Sequence, residues 1–250
     1  MISLLRAEQI KLISLRGSWV AAALFVFVSV GFGLGNAYLV NDPAQDFTLS
    51  NTGATEGIRG LGLTVLMVLG AVFITQEYRS GTIRLSFQAT PERWRVLVAK
   101  GLLLGGVGAA GAILMATVVI PLAGLVADTG RHGDLGFGSA GGTIGALAIT
   151  CAAAVLLALG IGALVRSTAM AVAVVVLWPG ILELTVARLP RVGEYLAPFL
   201  PLGNAILGIT GKAYKNVDYH WGQLGGLTYF VCFAVVFFLA GVWSVERRDA

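Results

Sequence analysis

Side chains able to do chemistry are scarce in this chain, and they concentrate between residues 77 and 100. There Glu77-Tyr78-Arg79-Ser80-Gly81-Thr82-Ile83-Arg84 continues through Thr90-Pro91-Glu92-Arg93-Trp94-Arg95 to Lys100, a polar island that holds five of the seventeen Lys and Arg residues between two uninterrupted apolar stretches. Mixed charge without a nucleophile and its base suits recognition of a partner better than bond making. Elsewhere the candidates are isolated. Glu183 lies in an apolar run, and His132 and His220 lie in polar connections. Gly138-Ser139-Ala140-Gly141 lacks the full Gly-x-Ser-x-Gly spacing of a serine hydrolase elbow, and His-Glu-x-x-His is absent. The nearest match to a phosphate-binding loop is Gly208-Ile209-Thr210-Gly211-Lys212-Ala213, which has the wrong glycine spacing and Ala where the Mg²⁺-binding hydroxyl belongs. The expectation is a chain that is not an enzyme, with no cofactor, no metal site and no nucleic-acid partner.

The elements that position these residues follow from composition. The 250 residues are 57% hydrophobic and 12% charged, with mean hydropathy +0.85; a soluble domain carries about 25% charge. The fold class expected is an all-α membrane protein, a single transmembrane domain over 1–250. A bilayer crossing takes roughly 20 apolar residues, and six stretches qualify: Ser18–Val40, Ile58–Gln76, Val96–Ala127, Ser139–Val165, Ala169–Ala187 and Gln223–Ser244. The third and fourth are longer than required, so tilt or a broken end is expected. Pro121 and Pro179 should each remove a backbone hydrogen bond and kink their helices. A β-barrel would alternate apolar and polar residues, whereas Ala169–Leu177 and Tyr229–Val242 are continuously apolar. Cys151 and Cys232 sit inside apolar stretches and read as small hydrophobes. The thirty-four glycines fit close helix packing in lipid. Gly101/Gly105 and Gly222/Gly226 form Gly-x-x-x-Gly pairs that suit either ordinary packing or a dimer seam.

Basic residues near span ends set orientation. With the N-terminus inside, eleven Lys and Arg fall on the inner side and six on the outer, four of those six in the segment 188–222. Both termini are expected in the cytoplasm. Segment 188–222 carries semi-apolar pieces, Leu196–Ala205 and Ile206–Thr210, around Pro198 and Pro201, too short to span and suited to re-entrant or interfacial helices on the outer face. Residues 1–17 read as an amphipathic helix on the inner leaflet or a frayed basic tail. Leu4, Leu5, Leu12, Ile13 and Leu15 gather on one side, and Arg6, Lys11 and Arg16 lie near anionic headgroups, with Glu8 and Gln9 blurring the boundary. The prelude is too long and the apolar core too extended for a cleaved signal peptide.

Within the island, Gly81 is a natural break. Thr82 is placed to cap a short helix over 83–88, and Thr90 with Pro91 to start a second helix running through Trp94 into span three. Ile83, Leu85 and Phe87 alternate, which departs from helical spacing. Taken singly, Arg93 and Arg95 also satisfy the positive-inside rule, and Trp94 an interfacial anchor.

The order of these features resembles the permease subunits of ATP-binding-cassette transporters of the type-2 exporter class. The likeness in layout covers the whole chain, and its sequence-specific part is confined to Glu77–Lys100. It implies that 77–95 is a cytoplasmic coupling region, with a short coupling helix between spans two and three. Glu77, Arg79, Gly81, Thr82, Ile83, Arg84, Pro91 and Arg93 would meet a separate cytoplasmic ATPase subunit. It further implies a second permease, identical or related, as partner, short outer helices between spans five and six, and a place in the plasma membrane of a prokaryote. A membrane-bound accessory or immunity protein is the alternative, and an intramembrane enzyme a more distant one. Nearly uncharged spans favour a lipid-like, drug-like or amphipathic peptide cargo.

Glu183 is the ionisable group at membrane depth, where a charge costs roughly 2.5–3.5 kcal/mol on insertion scales. Either it lines a path or gate beside the Pro179 kink, or span five ends early and it pairs with Arg188.

Overall fold

A computed structural model describes residues 2–42, 48–82, 92–128, 133, 135, 137–189, 191–212 and 217–247. The chain is an all-α, multi-pass membrane protein. An N-terminal helix α1 (Ile2–Ser14) turns at Leu15 into the first span α2 (Arg16–Val40), and a short α3 (Asn51–Ala54) leads to the second, α4 (Ile58–Ser80). The third span is α5 (Arg93–Val126) and the fourth α6 (Phe137–Val165); the fifth, α7 (Thr168–Arg188), follows directly. After it come α8 (Val192–Leu196), a 3₁₀ turn over Ala197–Phe199, α9 (Pro201–Thr210) and the sixth span α10 (Gln223–Arg247). The six spans coincide with those expected to within three residues at most ends. α5 begins earlier, at Arg93, and its 34 residues extend about 51 Å, so the turns carrying Arg93 and Arg95 project beyond a hydrocarbon core of about 30 Å.

α6 is the hub, packed against α4, α5 and α10. Two-thirds of its most apolar window (67%) is buried, against 17% for α2 and for α7, which ride on the outside of the bundle. The absence of side chains lets α6 and α10 touch at the backbone. A Cβ on Gly160 would lie 2.4 Å from the Phe237 carbonyl oxygen, and one on Gly241 3.0 Å from the Gly160 Cα. A Cβ on Gly101 would meet the Phe238 ring at 2.8 Å, one on Gly105 lies nearest Ala152, and one on Gly226 would crowd the Asn204 carbonyl. These glycines therefore serve packing within the chain, while Gly222 faces open space.

The two prolines behave differently. Pro121 sits inside an unbroken α5, whereas Pro179 falls in a widened π-helical turn over Trp178–Glu183, the usual way to absorb a missing i→i−4 bond. The expected kink is thus a bulge in α7, and no break interrupts α5. Segment 188–222 does contain short helices, but the bend between them, 69°, falls at Leu200, ahead of Pro201, and α9 runs through the expected 205/206 boundary.

Candidate functional site

The bundle end that bears both termini gathers charge from three elements. Glu8 on α1 lies one helical step (i, i+4) from Leu4 and Leu12, so its carboxylate rides on the apolar stripe and is carried against α5 when that stripe packs. Glu77 lies in the last turn of α4, and Lys100 lies two turns into α5, on a stretch where Val96, Leu97 and Ala99 are also buried. Both Glu8, 1% exposed, and Lys100, 0% exposed, are removed from solvent. Burial of three charges is tolerable only because they meet. Lys100 Nζ donates to Glu8 Oε2 at 2.5 Å and to Glu77 Oε1 at 2.7 Å. Lys11 Nζ, one turn from Glu8, donates to Glu8 Oε1 at 2.8 Å and to Glu77 Oε1 at 2.9 Å.

Two carboxylates and two ammonium groups cancel to zero net charge. The ring of Phe73 sits 4.7 Å beneath the Lys100 ammonium and adds a cation–π contact. Burial alone would lower the Lys11 pKa. The hydrogen bonds and charges of Glu8 and Glu77 outweigh it and raise the ammonium above its usual range. Glu77 Oε2 is buried and accepts no hydrogen bond among the described residues. A neighbouring contact extends the clamp to α6 and α10. Arg166, which closes α6 with a left-handed backbone (φ 57°), stacks its guanidinium 5.2 Å from the Tyr78 ring and donates to the Ser244 carbonyl of α10.

The island residues distribute around this quartet. Glu77 turns inward into it, with 8% exposure. Arg79 is exposed, and Gly81 ends α4 in the left-handed conformation (φ 70°) that glycine adopts at little cost. Thr82 is exposed and its hydroxyl meets that of Ser80 at 2.8 Å. Ile83, Arg84 and Pro91, and with them the helix expected over 83–88, lie outside the described residues. Arg93 is half-buried as the first residue of α5, behind Glu92 at the cap position, and Glu92 pairs with Arg95 one turn on. Lys11, expected near lipid headgroups, and Glu8, expected on a blurred boundary, also join α1 to the two roots of the island. The available signal was a carboxylate on an apolar stripe and a lysine inside an apolar run, each needing a partner.

At the opposite end Glu183 is 1% exposed and does not pair with Arg188. Its Oε2 accepts from the backbone N–H of Leu202 at 2.9 Å and of Gly203 at 3.1 Å, and its Oε1 accepts the Trp178 indole N–H at 2.7 Å. Pro201 opens α9 with no N–H to satisfy, so the carboxylate takes the next two free amides, and the helix dipole favours its charge. The π turn at Pro179 carries Glu183 to this position. Asn204, fully buried, locks the bend by donating to the Pro198 and Leu200 carbonyls at 2.8 and 2.9 Å and accepting from Trp221 at 2.7 Å. Glu183 is thus a fastener between α7 and α9, with its oxygens engaged by donors of the chain itself.

Among the described residues no cluster of three or more His, Cys, Asp or Glu side chains is arranged to hold a metal ion. What the arrangement at the terminus-bearing end can do is mechanical. It makes α1, α4 and α5 a single unit at the base of segment 83–91. Compared with known proteins, the chain matches no family model and no curated protein sequence.

Proposed function

We propose that the chain is the permease subunit of an ATP-driven exporter, seated in a prokaryotic plasma membrane with both termini cytoplasmic, and powered by a separate cytoplasmic ATPase. The observation that carries this reading is the quartet Glu8, Lys11, Glu77 and Lys100. It anchors both roots of the polar segment between spans two and three, and binds the N-terminal helix to them. A push on a loosely tethered loop dissipates in the loop. A push on a segment rooted in paired, buried charges moves α1, α4 and α5 together. In this reading Arg79, Gly81, Thr82, Ile83, Arg84, Pro91 and Arg93 form the contact with the ATPase, and Glu77 supports it from beneath. The chain hydrolyses no ATP itself. A second permease, identical or related, completes the path, and the sparsely buried outer spans α2 and α7 supply faces for it. Glu183 then acts on the path indirectly, by fixing the re-entrant bend at its outer mouth.

The test is uncoupling. Gly81→Pro, which cannot adopt the left-handed cap, and Arg84→Glu should both insert normally. Each should abolish transport driven by ATP and the stimulation of ATPase activity by the permease. Normal coupled transport by both variants would remove the island from the mechanism.

A further inference from the structure

Beside the quartet, the surface between α1 and the end of α4 opens into a cavity of about 600 Å³ whose walls include Lys11, Ser14, Arg79 and Ser80. It shares Leu15, Phe73 and Gln76 with a second cavity of about 430 Å³, which runs between α2 and α4 and is walled almost wholly by apolar side chains. Each volume falls within the range of about 300–1,000 Å³ typical of ligand sites. The α4 wall extends from Gln76 back to Thr64, twelve residues and about 18 Å of helix. That depth is close to one leaflet of a hydrocarbon core about 30 Å thick. Through those shared residues the two cavities adjoin as one groove, polar beside the quartet and apolar along α2 and α4.

We infer that this groove binds one anionic phospholipid from the leaflet at the terminus-bearing end. The phosphate lies against the Arg79 guanidinium, with the Lys11 ammonium alongside, and one acyl chain lies between α2 and α4. Charge supports an anion. Lys11, Lys100 and Arg79 carry three positive charges against two on Glu8 and Glu77, and Arg79 is the exposed member. Guanidinium and phosphate match as a planar fork. The apolar depth supports a lipid over free phosphate, which would leave the groove between α2 and α4 unfilled. A lipid held here wedges the joint between α1 and α4, so leaflet composition bears on the stiffness of the quartet.

The test needs no ATPase and so stands apart from the transporter reading. The chain is purified in mild detergent, supplied with phosphatidylglycerol or phosphatidylcholine of identical chains, and weighed intact by native mass spectrometry. The wild type should retain one phosphatidylglycerol about fivefold better than phosphatidylcholine, the effect of about 1 kcal/mol per basic residue at an anionic surface. Arg79→Gln should erase the preference and keep phosphatidylcholine binding, which also reports that the variant is folded. Val68→Trp, which fills the groove, should lower retention of both lipids, and glycerophosphate without chains should not be retained. Equal retention of the two lipids by the wild type, a preference unchanged in Arg79→Gln, or glycerophosphate held as well as the lipid would each overturn the inference.

Discussion

The two ends of the bundle solve the same problem, a buried carboxylate in an apolar protein, by opposite means. At the terminus-bearing end Glu8 and Glu77 are neutralised by Lys11 and Lys100, formal charge against formal charge across three helices. At the other end Glu183 is held by two backbone amides and an indole. The first arrangement depends on side chains that reach from three separate elements and ties them into one unit. The second is built on the fixed N–H groups of a helix start and fixes α9 against α7. The difference is between a joint of three elements held by paired charges and a helix start held by a single carboxylate.

Removing one member of the quartet should produce the largest effect. Lys100→Met leaves two buried carboxylates with a single half-exposed lysine, and loss of one partner of a buried pair costs about 3–5 kcal/mol. Thermal unfolding in detergent should show a correspondingly large drop, while adding Glu8→Gln, which removes the carboxylate left unpaired, should recover part of it. A double variant no better than Lys100→Met would mean that the quartet is not held by charge pairing. At the opposite end Glu183→Ala strips the acceptor from three donors. Each hydrogen bond to a charged group contributes about 1.5–3 kcal/mol, offset here by relief of the buried charge, and the loss should be local to the joint between α7 and α9. Amide exchange at Leu202 and Gly203 should speed up while the amides around Lys100 stay protected; acceleration at both ends alike would contradict the separation. Trp178→Phe removes one of those donors and leaves the backbone cap, at about 1.5 kcal/mol, the low end for a bond to a charged group, read by the same exchange. The smallest effect is alkaline. Because the Lys11 pKa is raised in the folded state, its contribution is complete below the ordinary lysine range and is lost as pH rises through the raised value. Protease cleavage near α1 should therefore increase at strongly alkaline pH with no matching change in segment 188–222.

The fold was largely legible because membrane solvation leaves few choices. Twenty apolar residues in a row must be a helix, and all six spans could be placed from that rule. The bend at Leu200 and the bulge at Pro179 were harder to place, because a proline states where a hydrogen bond is missing and leaves open whether the helix kinks, bulges or carries on. Pro121 and Pro179 took different courses. The site was legible in part. Gly81 announced the end of α4, and the charge density of 77–100 marked the region. Its organising contacts join residues 92 and 66 positions apart, Lys100 with Glu8 and Lys11 with Glu77, and no local pattern encodes such a pairing. What local sequence did carry was an anomaly: Glu8 between Leu4 and Leu12, Lys100 between Ala99 and Gly101, and Glu183 in an apolar run. In a chain with so few charges, each charge placed against its surroundings marked a place where distant elements meet.

The claim at the centre is that the island between spans two and three docks an ATPase. Tagged wild-type chain and Arg84→Glu, solubilised gently from native membranes, should be compared by pull-down with mass spectrometry of the retained proteins. A soluble nucleotide-hydrolysing subunit that accompanies the wild type and is lost from Arg84→Glu is the expected result. Equal recovery of such a subunit with both forms would contradict the dock at this island, and its absence from both would contradict the transporter itself.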